Sequence, residues 1–183
     1  MLNHLIDEIN KSLEHECYFA ALSLALTLPD ICGKAQYPNA SNANRYIKWY
    51  NEHVGQYEES NLPDFDGLPL MPYLSGEVIY NLRNSFLHQG TPNIDSDKIK
   101  AEQNKMDEFT LVLEKKNELG IYCDHASILT TGSGKVTRSY SVNVQRLCLV
   151  LTKTASAFYV ENKPLFNFFT YSVKHRPPRK AKT

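Results

Sequence analysis

The chain has 183 residues, 42% hydrophobic and 11% aromatic, which is enough apolar material for one domain with a sizeable core and excludes a disordered chain. Its formal charge is zero, with 20 basic and 20 acidic residues, but five of the bases (Lys174, Arg176, Arg179, Lys180 and Lys182) crowd the last ten positions, where no acid lies. The remainder carries a net −5, so the expectation is a mildly acidic globule with a short basic tail.

Apolar residues at Leu2, Leu5, Ile6, Ile9, Leu13, Cys17, Ala20, Ala21 and Leu24 keep helical spacing and predict one long first helix, ended by Pro29. Its opening, MLNHLIDEINKSLEH, has acids and no basic run before an apolar core, unlike a signal peptide. Ser41 reads as the N-cap of a second helix carrying Tyr46, Ile47, Tyr50 and Val54, with Gly55 as its stop. Residues 56–73 contain Pro63, Pro69 and Pro72 and read as a long irregular loop. A third helix is expected from Ser75 to about Gln89, closed by Gly90 and Pro92.

Residues 91–105 are polar and read as a connection with at most a helical turn. The period then changes. FTLVLE (109–114), GIYC (120–123) and SYSVNV (139–144) have the β-branched and aromatic content of strands, and TGSGK reads as the turn between the last two. A small antiparallel meander is expected there. Val144, Leu147, Cys148, Leu151, Ala155 and Phe158 mark a long last helix stopped near Pro164, and FNFF (166–169) should pack back on the body. The expected organisation is a single domain over 1–173 with a β insertion at about 107–143, then a disordered basic tail over 174–183.

The third helix carries the chemistry. At about 100° per residue, with Tyr80 at zero, Val78, Ile79, Leu82 and Phe86 fall on one apolar face. Arg83 falls at about −60°, Asn84 at about +40°, Glu77 at about +60° and His88 at about +80°. Glu77, Tyr80, Arg83, Asn84 and His88 therefore share the arc opposite the core. On this geometry Arg83 and His88 flank the strip rather than stack, while Asn84 and His88 can touch. The residue types suit phosphate chemistry: histidine titrates near neutral pH, and arginine presents a fixed charge with forked donors.

Arg83–Asn84–x3–His88, near the end of a helix in a mainly α chain of this size, resembles the Arg-x4–6-His motif of HEPN domains, in which a polar residue often follows the arginine. The resemblance spans most of the chain in expected architecture and about six residues in motif. The β insertion departs from the minimal bundle. The fold implied is mainly α, a HEPN-like helical bundle with a small antiparallel β insertion before the last helix. The function implied is a metal-independent endoribonuclease, a toxin or defence effector, that needs no cofactor and forms a homodimer with one composite cleft. By that resemblance His88 would move protons at the RNA 2′-hydroxyl or the leaving oxygen. Arg83 would bind the scissile phosphate, Asn84 would orient His88 or a phosphate oxygen, and Glu77 and Tyr80 would support them. The alternative is a non-catalytic HEPN-like module that partners a nucleotidyltransferase-like antitoxin. A third reading is a nucleotide-sensing bundle gated by the 56–73 loop.

Other features are weaker. TTGSGKVT (130–137) lacks the Gly and the Ser or Thr that a phosphate-binding P-loop needs at Leu129 and Val136. His4, His15, His53, His125 and His175 have no metal spacing, and Cys17, Cys32, Cys123 and Cys148 form no CxxC pair. They read as reduced thiols of a cytoplasmic protein, and no apolar stretch is long enough to span a bilayer. Tyr46, Trp49 and Tyr50 could stack on bases but sit at core spacing. In the tail, Arg176, Arg179, Lys180 and Lys182 either contact RNA phosphates or form a solvated end.

Overall fold

The computed structural model describes residues 2–59, 71–114 and 120–168. The basic tail, the middle of the proline-rich loop and Phe169 lie outside the described residues.

The fold is mostly helical, with a three-stranded mixed sheet before a long final helix. The expected first helix is broken in two. α1 (Leu2–Glu14) ends where Glu16 takes the left-handed conformation, φ 58°, and α2 (Tyr18–Ala25) starts again beyond it. This costs local strain in a non-glycine residue but turns α2 back so that α1 and α2 pack on each other. Cys17, expected on an apolar face, is exposed at this corner. Pro29 ends nothing. It occupies the first turn of α3 (Leu28–Gln36), where a missing N–H is harmless and its fixed φ suits a helix start.

Ser41 caps α4 (Asn42–Tyr50), its hydroxyl accepting from the Asn44 N–H at 3.4 Å. Gly55 does not stop that helix. The chain widens into a π turn over Asn51–Gly55 and continues as α5 (Gln56–Glu58). Tyr46, Trp49 and Tyr50 are fully buried, so they belong to the core. α6 (Gly76–Asn84) is capped by the Ser75 hydroxyl, which accepts from Val78 N–H. It too widens into a π turn, Ser85–Gln89, and closes on Gly90 at φ 69°. Glycine adopts that conformation without a Cβ penalty.

The insertion is mixed rather than antiparallel. β1 (Glu108–Val112) and β2 (His125–Thr130) flank β3 (Val136–Asn143) in the order β1-β3-β2. β2 and β3 form the hairpin, closed by Thr131 N–H to Lys135 O. β1 runs parallel to β3, with Val112 opposite Asn143, while His125 lies opposite Ser141. The connection from β1 to β2 therefore leaves and returns at the same end of the sheet, and β3 fills the place between them. The expected strand at 120–123 is irregular, and β2 lies just after it. β2 is exposed at nearly every position, so it lacks the in–out alternation that marks a strand in sequence.

α7 (Val144–Glu161), capped by Asn143 Oδ1 accepting from Arg146 N–H, packs on α1, α2 and α3. Phe166 folds back against Phe158 and Tyr159, whereas Phe168 is half exposed. The sheet is tied to the bundle through Arg146. Its guanidinium donates to both Glu58 oxygens at 2.9 and 3.0 Å and to Asp124 at 2.8 Å. The Glu58 and Asp124 side chains are only 7% and 8% exposed. Removing one partner of such a pair strands the other charge, at a cost of about 3–5 kcal/mol, far above that of an exposed pair.

α4 crosses its neighbours at two glycines. A Cβ on Gly33 of α3 would meet Arg45 O at 2.5 Å, and one on Gly76 of α6 would meet Ile47 O at 2.6 Å. Gly76 N–H also donates to Asn51 Oδ1 at 2.7 Å. Because both clashing atoms are backbone, Gly76→Ala should lose about 1–3 kcal/mol to overpacking, more than the gain in helix propensity returns. Thermal unfolding should show a drop of several degrees, while Gly132→Ala, which meets nothing within 4 Å, should unfold like the parent.

His53 stacks on Trp49 at 5.0 Å between ring centres, meets the Phe158 edge and donates to Gln36 Oε1 at 2.9 Å. Burial holds its pKa below the usual histidine value, against the pull of Glu52 and Glu161. A depressed histidine contributes stability that is present above about pH 6.5, its unfolded value, and lost as pH falls through the folded one. Melting temperatures measured between about pH 6.5 and 5 should fall less steeply for His53→Gln than for the parent.

Candidate active site

α6 packs on α4, Arg83 near its C-terminal end reaches Asp30 of α3, and the π turn sets the side chains there. In a regular helix Arg83 and His88 would point about 140° apart. Widening over Ser85–Gln89, where Gly90 N–H is shared by the Phe86 and Ser85 carbonyls, rotates His88 back over Arg83. The two side chains meet, correcting the expectation that they only flank the strip: Arg83 Nη1 lies 3.1 Å from His88 Nε2. The same Nη1 donates to Asn84 Oδ1 at 2.9 Å. Arg83, Asn84 and His88 thus form one cluster.

The contact defines the histidine's tautomer. Arginine has donors and no acceptor, so Nε2 must accept and the proton of neutral His88 sits on Nδ1. His88 is exposed, and the Arg83 side chain is 21% exposed. Behind them lies a second layer that the sequence did not suggest. Asp30 Oδ1 accepts from Arg45 Nε at 2.9 Å and lies 2.8 Å from its Nη2, while Oδ2 faces Arg83 Nη2 at 3.9 Å. One carboxylate between two guanidiniums leaves the cluster with a net positive charge at the protein surface. Asp30 sits in the first turn of α3 and Arg45 in α4, so no local spacing links either to Arg83. Among the described residues Arg83 Nε has no hydrogen-bond partner, although it is buried.

The remaining expected residues do not join the cluster. Glu77 accepts from Ala101 N–H at 3.2 Å and Asn104 Nδ2 at 3.4 Å, which hooks the 101–104 turn onto α6. Tyr80 packs its ring on Tyr46, 5.2 Å between centres, at the edge of the core. Tyr46 donates to Leu26 O at 3.0 Å, and burial pushes its phenol far above the usual range, which removes it from proton transfer near neutrality. Arg176, Arg179, Lys180 and Lys182 lie outside the described residues. Among the described residues no three His, Cys, Asp or Glu side chains are grouped to hold a metal ion, and no helix is long and apolar enough to cross a membrane.

Such an arrangement can hold an anion at the Arg83 guanidinium and exchange a proton at the adjacent imidazole. The tautomer is measurable. Long-range 1H–15N spectra of neutral His88 should show the Nδ1–H form, and Arg83→Ala should release Nε2 and let the Nε2–H form grow.

No protein-family model, curated protein or solved structure matches this chain.

Proposed function

We propose that this chain is a metal-independent endoribonuclease of HEPN type, acting as a toxin or defence effector and working as a homodimer. The reading rests on one observation: a cationic guanidinium, an amide and an imidazole hydrogen-bond together at an exposed helix end. RNA supplies its own nucleophile. The 2′-hydroxyl attacks the neighbouring phosphorus, the bond from phosphorus to the 5′-oxygen breaks, and a 2′,3′-cyclic phosphate and a 5′-hydroxyl result. His88 Nε2 takes the 2′-hydroxyl proton once Arg83 has turned to the phosphate. The 5′-oxygen gains a proton as it leaves, from the imidazolium form of the histidine of a second copy in the composite cleft, so that one imidazole ends protonated and the other neutral. Arg83 neutralises charge building on the phosphoryl oxygens, and Asn84 holds the guanidinium in line. Arg45 and Asp30 act through Arg83 by setting its position. The basic tail would add sequence-independent phosphate contacts.

A second reading is favoured by the same bonds. Arg83 is engaged by Asn84, His88 and Asp30 at once, as in a structural polar cluster, which suits a non-catalytic HEPN-like module held by a nucleotidyltransferase-like partner.

Single-stranded RNA incubated with the purified protein separates the two. Cleavage should persist in EDTA and leave cyclic phosphate ends. His88→Ala should lower the rate about 10²–10⁴-fold with the fold intact, since His88 is exposed. Arg83→Ala should do the same and weaken RNA binding. If the parent protein cuts no RNA, or the variants cut equally well, the scaffold reading stands.

A further inference from the structure

The end of α6 has a second side. Asn81, Ser85 and Gln89 follow one another at four-residue spacing on the face turned away from Arg83 and toward residues 93–98. Ser85, Gln89 and residues 93–98 line an open cavity of about 370 Å³. It is open to solvent and its lining is mainly polar, so a ligand would be held by its edges more than by its faces. Ile94, only 9% exposed, contributes an apolar surface. The polar lining comes from Ser85, Gln89, Asn93, Ser96 and Asp97, with the Asp95–Lys98 pair beside them.

The wall is held in place. Asn81 grips the backbone of Asp95 from both sides, its Nδ2 donating to Asp95 O at 2.8 Å and its Oδ1 accepting from Asp95 N–H at 3.2 Å. The Asp95 carboxylate caps the turn by accepting from Asp97 N–H and pairs with Lys98 at 2.9 Å. The lysine's charge is thereby matched within the lining, and the rest of the lining is amide, hydroxyl, one further carboxylate and Ile94, with the Asn93 Oδ1 accepting from Ile94 N–H at 2.9 Å. That set does not suit an anion. It suits a neutral planar ring with donors and acceptors along its edge, because Asn, Gln, Ser and Asp side chains pair with such edges and a flat apolar face can lie on Ile94.

Position adds the second argument. His88 and Gln89 are consecutive, so the helix end puts the imidazole on one side and a cavity-lining amide on the other. We propose that this cavity binds a nucleobase, and that a nucleotide straddles the end of α6 with its phosphate toward Arg83 and its base against Gln89, Asn93 and Ile94. The placement of the phosphate rests on the ribonuclease reading; the base site does not.

The test is binding, read apart from cleavage. The four nucleoside 5′-monophosphates, inorganic phosphate and a single-stranded RNA hexamer are titrated into 15N-labelled His88→Ala protein, which keeps the RNA whole. Nucleotides should move the backbone amides of Ile94 and Ser96, on the far wall of the cavity, and phosphate alone should not. Gln89→Ala and Asn93→Ala, each added to that background, should weaken nucleotide binding about three- to tenfold, the scale of one lost hydrogen bond. If the hexamer moves the same amides, the base comes from an RNA chain; if only mononucleotides do, the cavity takes free nucleotides. Amides of Ile94 and Ser96 that stay still at millimolar nucleotide, or variants that bind like the parent, overturn the proposal even where wild-type protein cleaves RNA. Nucleotide binding that depends on Gln89 and Asn93, in a protein whose wild type cuts no RNA, retains the base site and removes the ribonuclease.

Discussion

The two glycine crossings of α4 are the constraint on which the candidate site depends. With Gly33 against the carbonyl of Arg45 and Gly76 against that of Ile47, the backbones of α3, α4 and α6 approach more closely than any side chain would allow. That approach is what lets Asp30, on α3, accept from Arg45, on α4, and still face Arg83, on α6. Charges on three separate helices have to be aligned before any of them can act, and short contacts between backbones hold an alignment more firmly than long side chains do. Tyr46 and Trp49, fully buried on α4, anchor that helix in the core.

Two π turns then aim the side chains. Each adds slack to a helix that its ends have already committed: Ser41 begins one, and Ser75 and Gly90 delimit the other. The first, over Asn51–Gly55, presents Asn51 Oδ1 to the N–H of Gly76 and so joins the two helices at the start of α6. The second brings residues five apart into contact and unites Arg83 with His88. A wide turn is rare in isolation and is frequent at functional sites. Here it changes which side chains of α6 meet.

The sheet stands outside this arrangement. It meets the bundle through Arg146, Glu58 and Asp124 and through the direct run of β3 into α7. Asp124 carries opposing influences. Burial raises its pKa, while the Asn143 N–H and Arg146 lower it, and burial prevails. Two carboxylates sharing one guanidinium make a junction that depends on every member, so the insertion is an integrated part of the fold and not an appendage.

Much of the helical layout could be read from the sequence alone, because its signals act over a few residues. Ser41 and Ser75 cap their helices with their own hydroxyls, Gly90 adopts the left-handed conformation that a helix end favours, and the apolar faces of α6 and α7 follow from a period of 3.6. The motif Arg83–Asn84–x3–His88 was legible for the same reason. The break at Glu16, the wide turns, the parallel pairing of β1 and the gathering of Asp30 and Arg45 behind Arg83 had no local signal. β2 escaped notice because exposure on both faces removes the alternation by which strands are recognised. In each of these cases the deciding energy comes from a neighbour distant in sequence: a second helix against which α2 must fold, a carbonyl that a glycine must admit, a central strand that β1 must join. A residue's own chemistry determined where α4 and α6 begin and where the end of α6 closes, and only packing decided which other signals failed, how the elements are bent and what they bring together.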